Sequence, residues 1–284
     1  MGELLPMSTL LQTAVRGGFA VPAFCVWNAE TTEAALRVAS RLEAPVILMN
    51  GPGEFPLLRP KVLADITRAL VKTCTVPAAL HLDHGDSLQL VDECLAAGYT
   101  SVMLDFSRRS WDENVSALRE TVARARPLGV TVEGEIGHVG SNDSASTESQ
   151  GASTLTEPAE AAAYVAAAGV DALAVSVGNA HGQYTRLPSL DFDRLEAIRD
   201  AVRIPLVLHG GSGTPPDDLR RAISLGIAKV NVATELVAAV RSSLMDQWQA
   251  KTNLWTPAAL AVAAQAIEPV VERWLRATGA AGRA

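Results

Sequence analysis

Eight short apolar runs, each followed by a helical pattern, repeat nearly from end to end of a 284-residue chain, and no Gly-rich dinucleotide turn follows the first run. These observations predict an α/β fold, a TIM (β/α)8 barrel with an extra N-terminal helix and a C-terminal helical extension over 256–284. The length and a hydrophobic content of 48% suit one barrel domain over residues 1–284. A doubly wound open sheet is the alternative, and its phosphate-binding turn is missing.

The elements follow in order. A helix over about 7–17 leads to a first strand, FAVPAFCV, and a helix over AETTEAALRVASRLE. PVILMN is the second strand, followed by a Gly/Pro loop and the helix KVLADITRALVKTC. The third strand, VPAALHLDH, runs into the helical pattern LQLVDECLAAG. TSVMLDF, VTVEGEI, DALAVSV, IPLVLHG and AKVNVA complete the set, each with a helix after it, and TPAALAVAAQAIEPVVERWLRA adds one C-terminal helix. Two connections are long. Residues 137–156 are rich in Gly, Ser, Thr, Asn and Asp and are expected to form a mobile flap, and GNAHGQYTRLPS follows the sixth strand. Both leave the strand ends where barrel active sites lie.

A net charge of −7 without any basic run excludes the electrostatic footprint of a nucleic-acid binder. Neither a signal-peptide pattern nor an 18-residue apolar run is present, so a cytoplasmic protein with no membrane contact is expected. Cys25, Cys74 and Cys94 are an odd number at unrelated spacings, which suits reduced packing residues rather than a disulfide framework.

The chain has five histidines, none within a helical pattern. In a barrel, His84, His181 and His209, at the ends of strands 3, 6 and 7, converge on one rim. Three neutral imidazoles with an open fourth position make a catalytic metal site, with zinc the expected ion; the bland alternative is local hydrogen bonding at strand ends. Strand alternation turns His81 away from His84, toward the core or a supporting position, and His138 reads as a loop residue. Asp83 is placed to exchange protons with a substrate hydroxyl, or else to cap the next helix. Acidic residues in apolar strands cost free energy unless paired or metal-bound. Asp105 and Glu135 can therefore hold a second cation or be hydrogen-bonded barrel carboxylates; Glu133 shares a face with Glu135. After strands 7 and 8, Gly210, Gly211, Ser212, Asn231, Ala233 and Thr234 occupy the recurrent phosphate position of this barrel, with Gly182 approaching the same ligand. A metal, a proton-transfer carboxylate and a phosphate pocket together suit enolate chemistry on a phosphorylated ketose.

HLDHGDS, VEGEIG, NAHGQY, VLHGGSGTP and NVATEL occur here in the order found in class II, metal-dependent ketose-bisphosphate aldolases, and the chain resembles that family over nearly its whole length. GPGEF and NVATEL are most similar to the tagatose-bisphosphate branch, while HGGSGTP is shared with fructose-bisphosphate enzymes. The resemblance implies one catalytic Zn2+ on His84, His181 and His209, with Asp83 as the acid/base. It implies dihydroxyacetone phosphate held by Gly182, by Gly210, Gly211 and Ser212, and by Asn231, Val232, Ala233 and Thr234. It further implies a second metal at Asp105 and Glu135, a monovalent cation near the phosphate, and a homodimer or homotetramer. The reaction implied is reversible cleavage of a ketose 1,6-bisphosphate, fructose or tagatose type, to dihydroxyacetone phosphate and an aldehyde such as glyceraldehyde 3-phosphate. Another phosphorylated sugar or sugar acid, and a non-catalytic aldolase partner subunit, are the alternatives; a Schiff-base aldolase would need Lys229.

Three places depart from the family pattern. Cys25 stands where Asn is common. The acidic flap segment is replaced by VGSNDSAS, which puts Asp143 where a glutamate base is expected. The tail ends GAAGRA; a disordered tail is expected from the sequence, and the alternative is that Arg283 reaches a distal phosphate, in its own or a neighbouring subunit.

Overall fold

The computed structural model describes residues 2–141, 153–182, 188–251 and 255–284. Eight parallel strands close in sequence order, each paired with the next and β8 returning to β1. They are β1 Val21–Cys25, β2 Val46–Asn50, β3 Ala78–Gly85, β4 Ser101–Leu104, β5 Thr131–Ile136, β6 Ala172–Val175, β7 Leu206–Leu208 and β8 Ile227–Val232. The strands are buried along almost their whole length, because helices cover the outer face and side chains fill the interior.

Around the barrel run α1 Met7–Gly17, α2 Ala29–Arg41, α3 Pro60–Val71, α4 Leu88–Ala97, α5 Trp111–Ala125, α6 Pro158–Ala168, α7 Phe192–Val202, α8 Pro216–Ser224 and α9 Thr234–Gln249. Their starts are written locally. Asn28 with Thr31 and Ser110 with Glu113 form capping boxes at α2 and α5, and α3, α6 and α8 begin on proline. Helix α1 presents buried Met7, Leu10, Leu11 and Ala14 and lies against β3 and β8. The Ser8 amide donates to Thr131 Oγ1 (2.9 Å) at the first residue of β5, so α1 covers the N-terminal end of the barrel.

The single C-terminal helix expected from the sequence is two, α10 Thr256–Gln265 and α11 Glu268–Ala277. Pro269 lies in the first turn of α11, where its missing N–H is harmless; inside a continuous helix it would break the ladder. The tail is ordered. The Gly282 and Ala284 amides donate to the carbonyls of Leu42 and Glu43, and the Arg283 guanidinium lies 5.6 Å from the Phe19 ring centroid. Phe19 precedes β1, so Arg283 sits at the end of the barrel opposite its own chain's histidine cluster. The ends of segment 137–156 are pinned rather than loose: His138 and Thr154 exchange both backbone hydrogen bonds, and Thr156 Oγ1 donates to the Ile136 carbonyl (2.5 Å). Asp143 lies outside the described residues. Cys25, Cys74 and Cys94 are buried and form no disulfide among the described residues. Among the described residues no helix is long and apolar enough to cross a membrane.

Candidate active site

Strand β3 carries the centre of the site, and its geometry departs from simple alternation. Its register against β4 shifts between Leu82 and Gly85, and His84 has φ +45°, a left-handed backbone that costs a non-glycine residue roughly 1–2 kcal/mol. The bulge turns His84 inward alongside Asp83 and His81. The expectation that His81 faces away from His84 is thereby corrected, because an even–odd count fails across a bulge. His81 does occupy a supporting place: Nδ1 meets Ser101 Oγ at 2.8 Å, and Nε2 lies 3.6 Å from Asp83 and 3.7 Å from Glu133.

His84, His181 and His209 come together from the ends of β3, β6 and β7, each with a ring nitrogen within 4.8 Å of the others. Two carboxylates fix which nitrogens face the centre. Asp105 takes the Nδ1–H of His84 (2.8 Å) and Glu133 takes the Nε2–H of His209 (2.8 Å), so His84 Nε2 and His209 Nδ1 point at each other 2.8 Å apart. Both ring nitrogens of His181 are buried without a hydrogen-bond partner. Orphaned nitrogens in a dry site cost free energy unless something binds them, and three converging imidazoles are the donor set a divalent metal takes. The residues present therefore fit a metal.

The electrostatics of the cluster follow from burial and proximity. Burial disfavours a charged His84, but Asp83 and Asp105 outweigh it and hold its imidazole well above the usual range. Burial, then His84 and His209, push His181 well below it. Burial alone would raise Glu133, yet Lys229, with Nζ at 2.8 Å, and then His209 hold it at about 2. Glu135 goes the other way, pushed up to about 8 by burial and the neighbouring Asp105. Asp105 and Glu135 share a potential donor set with His84, and Glu135 Oε2 is buried without a hydrogen-bond partner, 3.9 Å from His209 Nδ1. His138 is a buried residue of the loop after β5, its Nδ1 reaching Ser107 Oγ at 3.0 Å, which in turn donates to Asp105.

Asp83 does not cap α4, since Ser87 does so by accepting the Leu90 amide. Its Oδ1 accepts from Asn231 Nδ2 (3.0 Å) instead, across from β8. Beside it lies a cleft lined by Gly182, Gly210, Ser212, Asn231, Ala233 and Thr234, together with His181 and Met49. Helix α9 starts at Thr234 with no side chain capping it, so its first amides and the positive end of its dipole meet this cleft. Ser212 Oγ and Asn231 Oδ1 are buried there without partners. Gly210, at φ +61°, approaches so closely that a Cβ would lie 2.0 Å from the Ala180 carbonyl oxygen. Two expected phosphate contacts are placed elsewhere. The Gly211 amide donates to the Asn231 carbonyl (3.0 Å), and a Cβ on it would strike Val230, so this glycine serves β7–β8 packing. Val232 is fully buried, paired with Phe24 of β1.

Lys229 is fully buried against Glu133 and lines neither the cleft nor the larger adjoining pocket, which removes it as a Schiff-base nucleophile. The Lys229–Glu133–His209 chain was not foreseen; the acidic residue inside an apolar strand and the lysine in AKVNVA were its only signals.

A family profile, "Fructose-bisphosphate aldolase class-II", matches residues 5–283. Among solved structures, the YdjI aldolase from Escherichia coli K12 shares 31% identity at TM-score 0.88, covering 99% of this chain and 100% of that one. A Coccidioides immitis protein assigned as a fructose-1,6-biphosphate aldolase shares 31% identity at TM-score 0.85, covering 97% of this chain and 96% of its own. Fructose-bisphosphate aldolase (Fba) from Campylobacter jejuni, at 23% identity, TM-score 0.83 and coverage of 98% and 95%, shares the fold. With the family match spanning nearly every residue and a barrel rim carrying three converging histidines, the chain belongs to the class II fructose-bisphosphate aldolases, metal-dependent lyases of phosphorylated sugars.

Proposed function

We propose that this protein reversibly cleaves a ketose 1,6-bisphosphate, of the fructose or tagatose type, to dihydroxyacetone phosphate and an aldehyde such as glyceraldehyde 3-phosphate, using zinc. The observation that carries the reading is the convergence of His84, His181 and His209 beside Asp83 and a cleft that meets the N-terminus of α9. The three histidines would hold the metal, which supplies Lewis acidity toward the ketone oxygen. Gly182, Gly210, Ser212, Asn231, Ala233 and Thr234 hold the phosphate of the dihydroxyacetone half. Asp83 takes the proton of the hydroxyl at the bond being cleaved and returns it during synthesis. Asn231 and His81 both approach Asp83 through Oδ1, which leaves Oδ2 for the substrate. Asp143 is the proposed base for the α-proton in the synthetic direction. His84, Asp105 and Glu135 offer a second cation position. A homodimer or homotetramer is proposed as the assembly, supported by exposed Val237, Met245 and Trp248 on α9.

The test pairs two substitutions. His209→Ala is expected to lose bound zinc and ketose-bisphosphate cleavage together, whereas Asp83→Asn keeps the zinc and loses about 10²–10⁴-fold in kcat. An active, metal-free His209→Ala protein would overturn the mechanism.

A further inference from the structure

Two cavities among the described residues adjoin at this rim, and the phosphate cleft is one of them. The other is an open pocket of about 710 Å³ that also reaches Asp83 and His84, and the two adjoin at Met49 and Asp83. A ketose phosphate anchored in the cleft, with its scissile bond beside Asp83, therefore extends its aldehyde half into the larger pocket. Among the described residues, the carboxylates lining that pocket beside Asp83 are Glu54, Asp86 and Asp105, with Arg108 and Arg109 as the guanidinium groups. Both arginines are exposed, and neither forms an ion pair among the described residues.

The loop that carries them is held at both ends. Asp105 accepts from the Ser107 amide (3.0 Å) and hydroxyl (2.7 Å), and the Arg109 amide donates to the Phe106 carbonyl (2.9 Å). Ser110 then starts α5 through its capping box with Glu113. The Arg109 guanidinium rests 5.5 Å from the centroid of the Phe106 ring, itself part of the pocket wall. A guanidinium supported on an aromatic face keeps its donor fork for an oxyanion. The pocket's carboxylates would otherwise repel a negatively charged aldehyde.

We propose that Arg108 and Arg109 form the subsite that reads an anionic terminus, a phosphate or a carboxylate, on the aldehyde half of the substrate. This inference rests on the aldol reading above and adds to it the residues that select the electrophile. The guanidinium pair touches neither the metal-binding histidines nor the phosphate cleft, so its effect falls on binding of the second half.

The experiment is condensation of dihydroxyacetone phosphate with glyceraldehyde 3-phosphate, tartronate semialdehyde or uncharged glyceraldehyde, on zinc-loaded wild type, Arg108→Ala/Arg109→Ala and Arg108→Lys/Arg109→Lys proteins. The wild type is expected to prefer one of the anionic aldehydes over glyceraldehyde. The double alanine variant lowers that ratio of kcat/KM at least about tenfold, through KM, and the lysine pair restores part of it. Whichever of phosphate and carboxylate loses more identifies the natural terminus. An unchanged ratio, or an absent preference in the wild type, overturns the subsite. Failure of every aldehyde to react overturns the aldol reading instead. Calorimetric titration with glyceraldehyde 3-phosphate then decides the subsite alone, since undiminished affinity in the double alanine variant rejects it.

Discussion

Lys229 and Glu133 are both fully buried, with Nζ and Oε2 2.8 Å apart, and the second carboxylate oxygen is committed to His209. Removing one member of such a pair leaves an uncompensated charge away from water, which costs about 3–5 kcal/mol. Lys229→Met is therefore expected to lower stability by that order, and Lys229→Met/Glu133→Gln to recover a large part of it. Urea unfolding of the two variants measures the difference; a single variant as stable as the wild type would show that the pair is not what holds this layer of the barrel. The same carboxylate orients His209, so the double variant, which loses it, should bind zinc more weakly than Lys229→Met, which keeps it.

At the level of elements, helix starts are the clearest case of local sequence deciding local structure. Asp191 caps α7 by accepting the Arg194 amide at 3.0 Å, and that amide, with the Arg194 guanidinium, lowers its carboxyl pKa. Asp191→Ala should cost about 1 kcal/mol in denaturant unfolding. A lowered folded pKa stabilises above the unfolded value near about 3.9, and the benefit is lost as the pH falls through the folded value, so wild type and variant should converge in acid. Convergence at neutral pH instead would refute the cap. The strands were legible because apolar runs at regular spacing leave few other architectures, and His84, His181 and His209 were legible because strand ends in a barrel meet at one rim. That His84 turns inward on the same side as His81 was not, since a bulge and a left-handed residue at His84 have no marker in HLDHGDS. Gly211 looked like a phosphate contact because glycine serves close packing and anion approach equally well, and only the partner of its amide tells them apart. The break between α10 and α11 was signalled by Pro269 and missed because the apolar pattern continues across it.

Taken whole, the molecule is a barrel covered at one end by α1 and chemically active at the other, with two cavities meeting at Asp83. The loop after β7 is not left to hold itself. Glu235, in the first turn of α9, accepts the Gly213 amide (2.9 Å) through one oxygen, and Trp274 Nε1 (3.0 Å) and Arg273 of α11 through the other. Glu235→Ala is expected to raise KM for a ketose bisphosphate about tenfold, about 1.4 kcal/mol, with zinc content unchanged. Equal KM in the two proteins would mean that the loop keeps its shape unaided. Helix α11 thus braces the loop after β7 from outside the barrel. A protease nick in the residues joining α9 to α11 should pass unnoticed in any metal analysis and declare itself only when the damaged enzyme is titrated with sugar phosphate.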